Sequence, residues 1–179
     1  MLSREDSLFV LVDVQGKLAK MVHESDMLIA NLKNLIQGLR IMGIPIVWLE
    51  QYPEGLGPTN EELAIHLTGL KPIRKISFNA CKNPAFIEAI EKIERKQVLL
   101  AGIETHICVY QTALGMKSLG NEVQVVVDAV SSRTLLNKKI GLERMKDEGI
   151  AVTSVEMAIY ELMQTADGEE FKQILQLLK

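Results

Sequence analysis

Val98-Leu-Leu-Ala-Gly-Ile-Glu-Thr-His-Ile-Cys-Val-Tyr-Gln-Thr-Ala-Leu-Gly-Met-Lys-Ser-Leu-Gly120 decides the fold. It begins as a short apolar run, Val98 to Ala101, turns at Gly102, and continues as a helix with Cys108 in its first turns. The apolar face expected of this helix includes Val109, Ala113, Met116 and Leu119, and Gly120 stops it. A strand that delivers a cysteine to a helix N-terminus is one way to obtain a reactive thiolate, because the partial positive charge of the helix end favours the anion.

The same alternation runs through the chain. Leu8 to Val12 is an uninterrupted apolar run ending in Asp13, as expected for a strand covered on both faces of a parallel sheet. Asp13 then falls at the carboxyl edge, where open α/β sheets place ligands. Gln15 and Gly16 read as a turn. Leu28, Leu32, Leu35, Ile36, Leu39 and Met42 repeat at helical spacing, and Gly43 ends that helix. Residues 44 to 49 read as a second strand, followed by the irregular segment EQYPEGLGPT (50 to 59) at the same edge. A short helix is expected over 59 to 67 and a short edge strand over 73 to 76. Pro84 opens a helix with Phe86, Ile87, Ile90 and Ile93 buried. After the central stretch come a strand within 122 to 130, a helical segment closed by Gly149, a short strand at 150 to 154, a helix capped by Ser154, and a final helix from about 168 to 178. Strand and helix alternate about six times. The expected architecture is one domain, residues 1 to 179, with an open, mostly parallel six-stranded sheet and helices on both faces: a Rossmann-like three-layer α/β/α fold.

Composition narrows the function. The 179 residues are 47% hydrophobic with net charge −3, which does not favour nucleic acid as a partner. No apolar run reaches transmembrane length, and the N-terminus lacks a signal-peptide layout, so a cytoplasmic protein without a membrane partner is expected. Two cysteines are too few for a disulfide framework. No GxGxxG follows the first strand and no GxxxxGK occurs, so nucleotide-binding loops are not indicated. A three-histidine metal site would need every histidine in the chain.

Three residues carry candidate chemistry: Asp13, Lys75 and Cys108. Asp13 could take the thiol proton, and Lys75 could hold the carboxylate and stabilise the thiolate. Backbone N–H groups at Glu104 and Cys108 could hold an oxyanion. Each also has a plain structural reading: core cysteine, turn-forming aspartate, solvated lysine. Gln15, Gln51, Tyr52, Phe78 and Thr105 are expected around the substrate, with Thr105 also suited to cap the helix. His106 is expected at the pocket rim or in a structural contact. Arg133 could bind a carboxylate, cap a helix or contact a subunit.

Together, VDVQ (12–15), KISF (75–78), AGIETHICV (101–109) and VVVDAVSSR (125–133) give a chain that resembles the isochorismatase-like cysteine hydrolases. EQYPEGLGPT with SSR (131–133) is most similar to the branch called isochorismatase domain-containing proteins. The resemblance implies that Asp13, Lys75 and Cys108 are acid, lysine and nucleophile. It implies a cis bond joining Ile103 to Glu104, and an oligomer. It also implies hydrolysis of a small amide-like C–N substrate through a thioester. Nicotinamidases of the superfamily carry an Asp-x-His metal motif where this chain has Glu50-Gln51-Tyr52, so neither a metal nor any other cofactor is expected. True isochorismatases act on a vinyl ether without depending on the cysteine. A non-catalytic scaffold keeping the fold is the alternative, and a redox thiol protein is a weaker one because no CxxC occurs.

Overall fold

The computed structural model describes residues 1–179. Strands β1 (Ser7–Val12), β2 (Ile46–Gln51), β3 (Ile73–Lys75), β4 (Gln97–Ile103), β5 (Glu122–Ser131) and β6 (Ala151–Thr153) form one sheet in the order β3-β2-β1-β4-β5-β6. Every adjacent pair is parallel. All six residues of β1 are buried, because helices cover both faces of the sheet centre and leave no polar side to alternate with.

The helices are α1 (Gly16–Met21), α2 (Ser25–Ile41), α3 (Pro53–Leu56), α4 (Glu61–Ala64), α5 (Pro84–Ile93), α6 (Tyr110–Ser118), α7 (Leu135–Asp147), α8 (Val155–Met163) and α9 (Gly168–Leu177). Helix α2 packs on β5 and against α8 and α9 on one side; α6 and α7 pack on β5 and on each other on the other side. Ser154 caps α8, its Oγ accepting from Met157 N–H at 3.2 Å. Helices α1 and α3 stand where the sequence suggested turn and loop; at six and four residues they are too short to show a period. No helix is long and apolar enough to cross a membrane.

From β1 the chain first builds β2 and β3 to one side, then crosses to β4, β5 and β6 on the other. The reversal lies between β1 and β4, and the carboxyl ends at such a reversal are the usual ligand position in these sheets. Gly102 is required at this place. Its φ is +122°, and a Cβ there would lie 2.1 Å from the Val12 carbonyl oxygen, so any side chain would drive β4 off β1 just before the turn.

Candidate active site at the strand reversal

Asp13 follows β1 directly, in the left-handed region with φ 52°, a conformation that aspartate tolerates better than most residues. Its side chain is 3% exposed. Lys75 is the last residue of β3, and its side chain has no exposure at all. Its Nζ donates to Asp13 Oδ2 at 2.6 Å, to Gln51 Oε1 at 2.7 Å and to the Ser77 carbonyl at 3.3 Å. Asp13 Oδ1 is buried and has no hydrogen-bond partner, and Cys108 lies near enough to influence the carboxyl. The structure therefore brings Asp13, Lys75 and Cys108 together.

Cys108 is 7% exposed. It lies in a single π-helical turn, Thr105–Val109, inserted between β4 and α6. Such wide turns are frequent at functional sites. The Ile103–Glu104 peptide bond is cis. The turn is held from outside by α7: a Cβ on Gly141 would lie 2.9 Å from the His106 backbone, so only glycine allows this approach. His106 Nδ1 lies 3.0 Å from Ser132 Oγ, tying the turn to the end of β5.

The charge state differs from the sequence expectation. Burial pushes the Cys108 thiol up to about 12, and neighbouring Asp13 adds to the rise; Lys75 only partly opposes them. Burial also raises the Asp13 carboxyl above its ordinary value, against the pull of Lys75. A helix end and a lysine do not make a resting thiolate here, because the site is dry and an anion already stands beside the sulfur. The site therefore holds a thiol beside a carboxyl whose basicity burial raises.

The expected pocket residues divide into two groups. Tyr52 and Phe78 are 51% and 53% exposed. Gln15 is fully buried with its amide committed to backbone: Oε1 accepts from Gln51 N–H, and Nε2 donates to the Gln51 and Gly57 carbonyls. Gln51 is buried and holds Lys75. Thr105 is fully buried with Oγ1 unpartnered, and it does not cap the helix: Glu104 occupies the N-cap position and makes no side-chain cap bond. Instead the Glu104 carboxylate accepts from Arg133 N–H at 3.0 Å and Arg133 Nε at 3.1 Å. Of the three roles open to Arg133, none anticipated this pairing; the only sequence signal was its place at the end of a strand on the same edge. Glu50, where nicotinamidases have a metal ligand, accepts from Thr59 N–H and Oγ at 2.8 Å each, and Trp48 Nε1 donates to Thr59 Oγ at 2.7 Å. No group of three or more His, Cys, Asp or Glu side chains gathers in a form that could hold a metal ion.

Comparison with known proteins agrees with this architecture. The family model described as isochorismatase domain matches residues 7–157. Isochorismatase domain-containing protein 1 of Danio rerio is 36% identical over 181 residues, covering 99% of this chain; the chain spans 62% of that relative's length. Among solved structures, the MAR1 ribonuclease of Caenorhabditis elegans superposes with a TM-score of 0.92 at 34% identity, covering 99% of this chain and 91% of the other. The YcaC gene product of Escherichia coli, described as an octameric hydrolase of unknown specificity, gives a TM-score of 0.92 at 25% identity, covering 98% of this chain and 89% of the other.

Proposed function

The chain belongs to the isochorismatase domain family, and on that premise we propose that it hydrolyses a small amide-like C–N bond through a covalent thioester on Cys108. The observation that carries this reading is the clamp on Asp13. Lys75 holds one carboxylate oxygen at 2.6 Å and the other is buried without a partner. Asp13 takes the thiol proton as sulfur attacks the substrate carbonyl carbon. The oxyanion is received by backbone N–H groups of Glu104 and Cys108. Collapse expels the amine, which takes the proton from Asp13, and leaves a thioester. Asp13 then accepts a proton from water as its oxygen attacks the thioester; the acid departs and the proton returns to sulfur. Lys75 passes no proton in these steps; its Nζ donates to three acceptors and serves to hold Asp13.

The test is intact-mass detection of an acyl-enzyme with a panel of reactive small amides and esters, with Cys108→Ala as control. The adduct is expected in the wild type alone; undiminished turnover by the variant overturns covalent catalysis. An RNA oligonucleotide belongs in the panel because the nematode neighbour is called a ribonuclease. The net charge of −3 and the buried site favour the small amide.

A second reading, a non-catalytic scaffold, draws on the 7% exposure of Cys108 and its raised thiol. It expects no selective labelling of Cys108 by an electrophile at neutral pH. A homo-oligomer is part of the proposal, supported by the octameric neighbour and by exposed Leu135, Leu136 and Ile140 along α7.

A further inference from the structure

The lysine of the proposed site is held by an amide as well as by Asp13. Gln51 and Lys75 are directly paired across β2 and β3, and residues so paired project to the same face of the sheet. The chemistry of the partners fixes the direction of the Gln51 amide. The Ile76 carbonyl can only accept, so Nε2 faces it, and Oε1 therefore faces Lys75 Nζ at 2.7 Å.

Gln51 is itself gripped by Gln15. The backbone ladder between β1 and β2 ends at Val12 and Leu49, with Asp13 N–H reaching the Leu49 carbonyl at 3.3 Å. Beyond that point the Gln15 side chain takes the place of a strand residue. Its Oε1 accepts from Gln51 N–H at 2.6 Å and its Nε2 donates to the Gln51 carbonyl at 3.1 Å. The same Nε2 reaches the Gly57 carbonyl at 2.7 Å. Gln15 has no exposure and Gln51 almost none, so an apolar residue of similar volume would avoid the cost of burying two amides. What the amides add is a carbonyl dipole at a fixed place beside a buried ammonium.

We propose that Gln51, held by Gln15, is a positioning residue for the cysteine chemistry: it sets where the Lys75 ammonium stands between Asp13 and Cys108. The inference rests on the catalytic reading above, and it names two groups that act through Lys75 without touching substrate. Without the Gln51 oxygen, one ammonium proton has no acceptor in a dry site, and the cation is drawn away from the position that favours the thiolate.

The experiment is alkylation of Cys108 by iodoacetamide across pH 7 to 10, followed by peptide mapping, with Cys81 in the same digest as internal reference. It needs no amide substrate, so its outcome is separate from whether the panel above is hydrolysed. In Gln51→Met the Cys108 rate is expected to fall by about tenfold at fixed pH, the equivalent of one unit in thiol pKa. Gln15→Met is expected to move it in the same direction by less. A purely structural role predicts the opposite sign, because a loosened site exposes the sulfur and speeds alkylation. An unchanged or faster Cys108 rate in Gln51→Met, with melting like the wild type, overturns the proposal. Should that variant not fold, Gln51→Asn keeps the amide and withdraws its oxygen from Lys75; an unchanged or faster rate there overturns it equally.

Discussion

Replacing Lys75 by methionine tests the ion pair at the centre of the site. In the wild type, Asp13 Oδ2 is 2.6 Å from Nζ and Oδ1 has no polar partner. Methionine fills most of the volume but leaves both carboxylate oxygens unpartnered and buried. Removing one member of a buried pair costs about 3–5 kcal/mol, a large part of a typical folding free energy. The loss should depend on pH, and its sign follows from Asp13. Burial already holds its carboxyl above the ordinary 3.8, and Lys75 opposes that rise. Without the lysine the carboxyl moves higher, so the folded variant binds its proton more tightly than the unfolded chain does. The stabilisation from that proton is complete below the unfolded value and is lost as pH rises through the folded one, at about 1.4 kcal/mol per pH unit. Urea unfolding should therefore show the variant's deficit largest at pH 8 and smaller at pH 5. Asp13→Asn combined with Lys75→Met removes both charges, and should recover more than half of the pH 8 deficit, since no unpaired charge is left buried. A deficit that is flat with pH, or a double variant as unstable as the sum of the singles, would refute the assignment of a buried Lys75–Asp13 ion pair.

Three further outcomes follow from the same geometry. With the thiol pushed up to about 12, Cys108 alkylation in the wild type should climb about tenfold per pH unit from 7 to 10; a plateau beginning at neutral pH would mean a resting thiolate. Thr59→Val removes a hydroxyl that donates to Glu50 and accepts from Trp48, and should cost about 1–3 kcal/mol in urea unfolding and shift the emission of the single tryptophan; unchanged stability and emission would show that the hydroxyl contributes nothing. Light scattering on a sizing column should find the wild type larger than one chain and Leu136→Glu smaller than the wild type, whereas a wild type that runs as a monomer at micromolar concentration removes the α7 interface.

The strands were legible because burial on both faces leaves an uninterrupted apolar run; Leu8 to Val12 is the plainest case, and every residue of β1 is buried. The long helices were legible through their period, α2 above all. Helices α1 and α3 were not, because one turn or two gives no period to count. The site was legible as a set of residue types at strand ends, and the structure gathers Asp13, Lys75 and Cys108 at the reversal. What the sequence could not carry is the sign of each group's environment. A lysine in a polar-looking segment reads as solvated, yet Lys75 is sealed by acceptors drawn from three separate segments: Asp13 after β1, Gln51 in β2 and Ser77 beyond β3. The thiol was expected to be favoured as an anion by the two groups visible near it, a helix end and a lysine. The terms that decide the matter, burial of the sulfur and the approach of Asp13, arise only when β1 and β4 lie side by side. Local sequence thus names the candidate nucleophile, while the environment that sets its protonation is a property of the strand order. The same division holds for Gln15 and Gln51: their polarity marks the edge, but which partner each amide meets depends on a ladder that ends one residue before Asp13.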